Sequence, residues 1–268
     1  MLEWNSVGTF IAAFTFFFFY HMHGISLGYH RLLSHHSLRI PKWLEYIVVS
    51  GAYLAFEGSP IFWVTTHRLH HRYSDHKGDP HSPHDGLWHA FIAWMWDPKV
   101  HITDEQSRLL APDLYRDPVY RLLHCGHTAW HSYLCLGIGI AFRVSIFYAF
   151  GPIVLAANLC ATALAFVGPL LVNSVCHLQR FGYETYKCGD DSRNVLPIAL
   201  LTMGEGWHNN HHAFPQSVRH GLTEREFDAT WVSVCILKAL HLADHIHLPK
   251  NQCHVAFTEK SKETAKSK

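Results

Sequence analysis

Apolar positions in this chain gather into long unbroken runs separated by strongly polar stretches. The first run covers residues 7–27 and contains Phe14-Thr15-Phe16-Phe17-Phe18-Phe19-Tyr20. At 1.5 Å per residue, about 20 residues cross the hydrocarbon layer of a bilayer. Glu3 precedes the run and Gly28-Tyr29-His30-Arg31 follows it. Neither flank resembles the basic start or the small-residue cleavage site of a signal peptide, so the run predicts a spanning helix. Residues 129–150 and 152–172 form two further runs separated by Gly151-Pro152, which predicts a helical hairpin through the membrane. Arg143 lies near enough to one end of its run to snorkel.

Residues 43–66 are apolar but carry Glu45 and Glu57. A carboxylate at mid-membrane costs roughly 2.5–3.5 kcal/mol on insertion scales. This stretch therefore predicts a helix packed at the interface or against protein, not a crossing. Residues 67–129 are polar, with turn signals at Lys77-Gly78-Asp79-Pro80 and Ala111-Pro112-Asp113. The chain after Val172 is mostly polar, and from 258 onward it is a Lys/Glu/Ser/Thr tail of disordered composition. The expected organisation is one membrane domain with a cap over residues 1–257, then that tail. Nearly every Lys and Arg lies outside the hairpin turn and the first six residues, which places the polar regions in the cytoplasm. Three crossings then put Met1 on the opposite face.

Composition sharpens this picture. Only 16% of the 268 residues are charged and 49% are hydrophobic, against about 25% charged in an ordinary soluble domain. The net charge of +1 gives no field that would attract nucleic acid. The seven cysteines include no C-x-x-C pair and read as reduced thiols, not as a disulfide framework. Histidine is the outlier, at 25 residues.

The histidines cluster. His67, His70 and His71 share the spacing H-x-x-H-H with His208, His211 and His212. Positions i, i+3 and i+4 lie on one face of an α-helix, so each triplet projects together. Asn173 and His177 stand one turn apart at the end of the last apolar run. His30 and His35 close the first run, five residues apart and about 140° around an ideal α-helix, so they are expected to serve different ions. Nine histidines divide naturally over two metals, all at the same end of the spans. Asp75, Asp79 and Glu205 adjoin the clusters and read either as acceptors for the outward ring nitrogens of such ligands or as ordinary helix-cap or turn residues. The remaining histidines, including His84, His89, His101, His124, His127, His131, His241, His245 and His247, read as surface or interfacial groups. Imidazole suits iron, copper, nickel and zinc. An all-histidine pair of metals beside a membrane points to oxygen chemistry on an apolar substrate, since acid–base side chains cannot break an unactivated C–H bond.

These segments resemble the membrane fatty acyl desaturases of the stearoyl-CoA and cyanobacterial Δ9 acyl-lipid type. The resemblance rests on Gly28-Tyr29-His30-Arg31 to His35, Thr66-His67 to Asp75, Gly78-Asp79-Pro80-His81, Asn173-Ser174 to His177, and Gly204-Glu205-Gly206-Trp207-His208 to Phe214. It covers about residues 24–249. It implies an all-α membrane bundle whose cytoplasmic helical cap holds two iron ions cycling between Fe2+ and Fe3+. The implied ligands are His30, His35, His67, His70, His71, His177, His208, His211 and His212, with Asn173 bound through water. The implied reaction consumes O2 and two external electrons to place a cis double bond, of Δ9 type, in a long-chain acyl-CoA or acyl-lipid. Its partners are the bilayer, the acyl substrate, and ferredoxin or cytochrome b5 with its reductase as electron donor. The chain departs from the family at His36, where relatives have Arg, and at Leu170, where animal enzymes have Trp. It also shows three spans where four are usual, and no fused His-Pro-Gly-Gly haem module. Two other readings of the histidines remain: a membrane di-iron hydroxylase, and a non-enzymatic haem- or metal-binding membrane protein.

Overall fold

The computed structural model describes residues 4–100, 102–125 and 128–249. The tail expected to be disordered, and His101 and His127, lie outside the described residues. In chain order the α-helices are α1 (Trp4–His23), α2 (Lys42–Leu54), α3 (Pro60–Tyr73), α4 (Leu87–Phe91), α5 (Asp104–Leu110), α6 (Pro118–His124), α7 (Thr128–Phe150), α8 (Pro152–Val175), α9 (Leu196–Leu201), α10 (His208–Ala213) and α11 (Ala229–Ala239). Among the described residues there is no strand, only three isolated β-bridges. Among the described residues, three helical stretches are long and apolar enough to cross a membrane: Asn5–Ser34, Trp130–Phe150 and Pro152–Val175. The chain divides into two compact units.

The first unit takes Met1–Ser34, Lys42–His67 and Ile102–Val167. Its first span does not stop at α1. It continues as an 11-residue π-helix, Gly24–Ser34, in which every residue is buried. Such i→i+5 winding is rare and concentrates at functional sites. It changes the expectation for His30 and His35. Residues five apart diverge on an ideal α-helix, whereas i→i+5 winding brings such residues back to about one turn, so the 140° separation does not apply to His30 within the winding.

The winding packs against α2 with almost no space between backbones. A Cβ on Gly24 would lie 2.1 Å from the Ala52 amide nitrogen, and one on Gly51 would lie 2.3 Å from the Tyr20 carbonyl oxygen. Small residues allow this approach, as is usual where membrane helices touch. Residues 43–66 are two helices, α2 and α3, packed against protein as the carboxylates required. Glu45 pairs with Lys42 at 2.5 Å and accepts from the Tyr120 hydroxyl. Glu57 sits in the turn between the helices, where Phe56 and Gly58 have φ of 67° and 80°.

Arg143 does not snorkel. It is buried and donates to the carbonyls of Gly139 and Leu54 and to the Thr162 hydroxyl, with its guanidinium 4.2 Å from the Phe56 ring centroid. The reason lies in the end of α2, where the Leu54 carbonyl receives the guanidinium and a cation suits the negative end of a helix. His21, Asn158 and Thr162 extend this polar contact between α1 and α8. His124 and His131, expected at the surface, are buried. His124 Nδ1 and the Ser59 hydroxyl share a hydrogen bond of 2.8 Å, and the His124 and His131 rings stack at 5.5 Å.

The second unit takes His35–Pro41, Arg68–His101 and Gly168–Lys268. Short helices and loops dominate it, so side-chain bonds do the holding. Val172, Cys176, Val195 and Ile198 form an apolar core beneath α9. Bridges Tyr183–Asn194 and Asn194–Trp207 place the chain just before α10. Gly206 packs on the backbone of α9, where a Cβ would meet the Ala199 nitrogen at 2.1 Å. The six described cysteines are all free thiols.

Candidate metal centre

In the second unit, the last turn of α3 contributes His70 and His71, and α10 contributes His208, His211 and His212. His177 comes from the residues just after α8. His70, His177, His208 and His212 each offer one ring nitrogen, and these nitrogens all lie within 4.8 Å of one another. The His208 Nε2 is 3.0 Å from both the His177 Nε2 and the His212 Nε2. A neutral imidazole carries one N–H and one lone pair. Where the outward nitrogen holds the hydrogen, the inward nitrogen presents its lone pair, and converging lone pairs call for a cation.

The outward nitrogens of three of these four rings do hold the hydrogen. His177 Nδ1 donates to Asp75 at 2.7 Å, His212 Nδ1 donates to Asp190 at 2.7 Å, and His70 Nδ1 meets both Asp79 oxygens at 3.0 and 3.1 Å. This carboxylate–histidine pattern fixes the tautomer and aims Nε2 inward. Beside this set, His35, His71 and His211 gather in the same unit. Their ring centroids are 4.7 Å apart in each pair, and His211 Nε2 is 2.9 Å from His71 Nε2. His71 and His212 rings are also 4.7 Å apart, so the two sets adjoin.

A scan against family models matches the fatty acid desaturase model over residues 7–225. The chain belongs to the fatty acid desaturase family. Among similar desaturases, a probable chloroplastic lipid desaturase of Arabidopsis thaliana is 41% identical over 231 residues, 84% of this chain and 60% of that protein. An acyl-CoA 5-desaturase of Anemone leveillei is 41% identical over 229 residues, covering 84% of this chain and 68% of its own length. An sn-1 stearoyl-lipid 9-desaturase of Anabaena variabilis is 41% identical over 230 residues, with coverages of 84% and 79%. The chain thus spans only about three fifths of the Arabidopsis desaturase.

Within this desaturase chain the remaining expected residues are placed as follows. His30 and His67 belong to the first unit, where their rings meet edge-on at 4.5 Å and Trp63 stacks on His67 at 5.1 Å. Asn173 is half-buried on α8, one turn before His177, and makes no side-chain hydrogen bond among the described residues. Asp75 and Asp79 take the expected accepting role. Glu205 instead faces His220, with an oxygen 3.6 Å from its Nδ1, and His220 in turn stacks on His211 at 4.6 Å.

Several supporting residues escaped the sequence analysis. Asp190, the partner of His212, lies in a Gly-Asp-Asp-Ser loop with no telling spacing. Asn209 and Asn210 stand inside the H-x-x-H-H motif but turn away from the metal-facing side. Asn209 accepts from the amides of Thr185 and Tyr186, and Asn210 donates to the His220 carbonyl and to Glu226. They brace a six-residue helix too short to hold itself. The pairing of Asn-Asn with a downstream Glu was the available signal.

The electrostatics follow the contacts. Burial alone raises the Asp79 carboxyl, but the neighbouring His70 outweighs it and holds Asp79 well below the usual range. Asp75 is likewise lowered against its burial, chiefly by the bond from His177. His81, buried against His70, is pushed down to about 3 by burial and by that neighbour. Burial and the adjacent rings of His212 and His177 keep His208 well below its ordinary value, so it stays neutral with a lone pair to offer.

Proposed function

We propose that this chain is an O2-dependent di-iron desaturase that introduces a cis double bond, of Δ9 type, into a long-chain fatty acyl group. The observation that carries the reading is the four-histidine set of the second unit, whose rings are aimed by Asp75, Asp79 and Asp190. One iron would be held by His70, His177, His208 and His212, with Asn173 contributing through water. The other would draw on His35, His71 and His211 of the second unit, with His30 and His67 as the further ligands that the family resemblance implies. Bound iron would supply the oxidising power to remove hydrogen from an unactivated methylene.

The reaction takes two hydrogens from the acyl chain and two electrons with two protons from outside, and reduces O2 to two waters. The histidines of this chain hold their lone pairs inward, and the three aspartates keep the ring hydrogens outward. The three apolar stretches anchor the chain in the membrane, and the excess of Lys and Arg in the polar regions supports a cytoplasmic site. Relatives act on acyl-lipids and on acyl-CoA, and either head group fits this reading. The electrons would come from ferredoxin or from cytochrome b5 with its reductase.

The test is to express the chain in a desaturase-deficient host and analyse total acyl chains by mass spectrometry, with iron counted on the purified protein. New monounsaturated acyl chains and about two irons per chain are expected. Hydroxylated acyl chains instead, or full activity with one metal, would overturn it.

A further inference from the structure

The four-histidine set is not closed off from the surface. Asp75 accepts from His177 Nδ1 through Oδ2 at 2.7 Å, and the same oxygen accepts from the Asp191 backbone amide at 2.8 Å. The Asp191 carboxylate then meets His84 Nε2 at 2.8 Å through one oxygen and accepts from Gln179 at 2.5 Å through the other. The His84 side chain is 60% exposed, while those of Asp75 and His177 are 2% and 0% exposed. Three hydrogen bonds therefore run from solvent to a predicted iron ligand, all within the second unit. The carboxylates behind the other two rings turn inward: Asp79 accepts the amides of Asp75 and His81, and Asp190 accepts that of Ser192.

The chemistry of the links decides what this path can carry. A peptide N–H between two carboxylates is a poor proton carrier, because passing a proton through it would need the amide to tautomerise. Hydrogen bonds do couple donor and acceptor for electrons better than gaps of the same length. The exposed charge leans basic as well. Across residues 72–86 and 179–191, Arg72, Lys77, Arg180 and Lys187 are exposed, against Asp85 as the exposed acid, while Glu184, Asp190 and Asp191 are half-buried.

We propose that His84 and Asp191 are the electron entry point of this enzyme, where an acidic one-electron carrier docks and reduces the metal held by His177. The proposal rests on the di-iron reading above. Each turnover oxidises two carrier molecules by one electron each, the two protons come from solvent, and O2 leaves as two waters while the acyl chain loses two hydrogens. His84 and Asp191 are positioning residues here, since neither touches substrate or metal.

The experiment uses the full chain in nanodiscs, loaded with iron, with reduced plant-type ferredoxin and the reduced soluble domain of cytochrome b5 as probes. Stopped-flow absorbance follows carrier oxidation, and reduction by dithionite is measured in parallel. At least one carrier is expected to react with the unaltered chain, more slowly as salt rises. His84→Leu and Asp191→Ala should each slow carrier oxidation about tenfold, the lower edge of losses seen for residues behind metal ligands. Iron content and the dithionite rate should stay unchanged. Lys77→Glu with Arg180→Glu should weaken carrier binding and leave the dithionite rate alone. Carrier rates within about twofold of the unaltered chain in His84→Leu, equal losses with carrier and dithionite, or no reaction with either carrier would overturn the proposal. If Asp191→Ala loses iron, His84→Leu decides alone, because that side chain is peripheral. A dithionite-reduced chain that still desaturates lipid while the relay variants behave normally refutes only the relay. A chain that makes no double bond with any reductant refutes the desaturase reading itself.

Discussion

Glu57 gives the most quantitative expectation. Its Oε2 accepts from the Trp63 indole at 3.0 Å, while among the described residues its buried Oε1 has no hydrogen-bond partner and no cation offsets its charge. Burial pushes the carboxyl up to about 8 from 4.5. The acid is then protonated in the fold and ionised in the unfolded chain across the window between those values. Because the folded value is the higher one, stability is fully present below pH 4.5 and is lost as pH rises toward 8. Each pH unit within the window costs about 1.4 kcal/mol, so pH 5 to 8 costs at most about 4 kcal/mol, an upper bound because the residue is partly exposed. Glu57→Gln keeps an acceptor for Trp63 and removes the ionisation. Unfolding by SDS titration, followed by tryptophan fluorescence at pH 5 and pH 8, should show the unaltered chain losing stability with pH and the variant holding level. The variant should therefore be the more stable at pH 8 by a few kcal/mol. Parallel pH profiles for the two proteins would refute the reasoning.

Other expectations follow from the same contacts. His71→Ala and His212→Ala should each abolish desaturation and lower iron content while membrane insertion persists, and His247→Ala should be neutral, as read by lipid analysis and metal counting. Asp190→Ala frees the Nδ1 hydrogen of His212 from its 2.7 Å partner, so iron affinity measured by competition with a chelator should fall by about 10–100-fold. Asn173→His places an imidazole where the half-buried amide now stands, and iron should be retained while turnover collapses, since a position open to O2 is closed. Arg143→Leu strips the Leu54 carbonyl of its donor, and the cost, about 2 kcal/mol, should appear as a lower SDS midpoint with activity unchanged at low temperature.

The three spans and both H-x-x-H-H faces were readable because each depends on local periodicity. Unbroken apolarity over about 20 residues has few meanings, and i, i+3, i+4 spacing has one geometric consequence. What periodicity hides is everything settled by contacts distant along the chain. Arg143 looked free to reach the headgroups, but the carbonyl it serves belongs to Leu54, 89 positions earlier. The π-winding at Gly24–Ser34 was invisible because its composition suits an α-helix equally well. Asp190 and Asp75 are both acidic loop residues in sequence. Their shared role emerges only when His212 and His177, 22 and 102 positions away, arrive beside them.

That last separation bears on how the protein is made. Asp75 leaves the ribosome, with His70 and His71, long before its partners exist. His177 lies 102 residues downstream, and the Asp191 amide that shares the same oxygen lies 116 residues downstream. In between, the α7–α8 hairpin must be threaded into the bilayer. Throughout that interval His70 and Asp75 lack the His177, His208 and His212 rings that they meet in the folded chain. Closing so long a loop costs little more entropy than closing a short one, so the delay is one of timing and not of energy. A divalent ion offered before the last third is translated would meet only part of the four-histidine set, so the timing of metal supply during synthesis should show in how much of the protein is loaded.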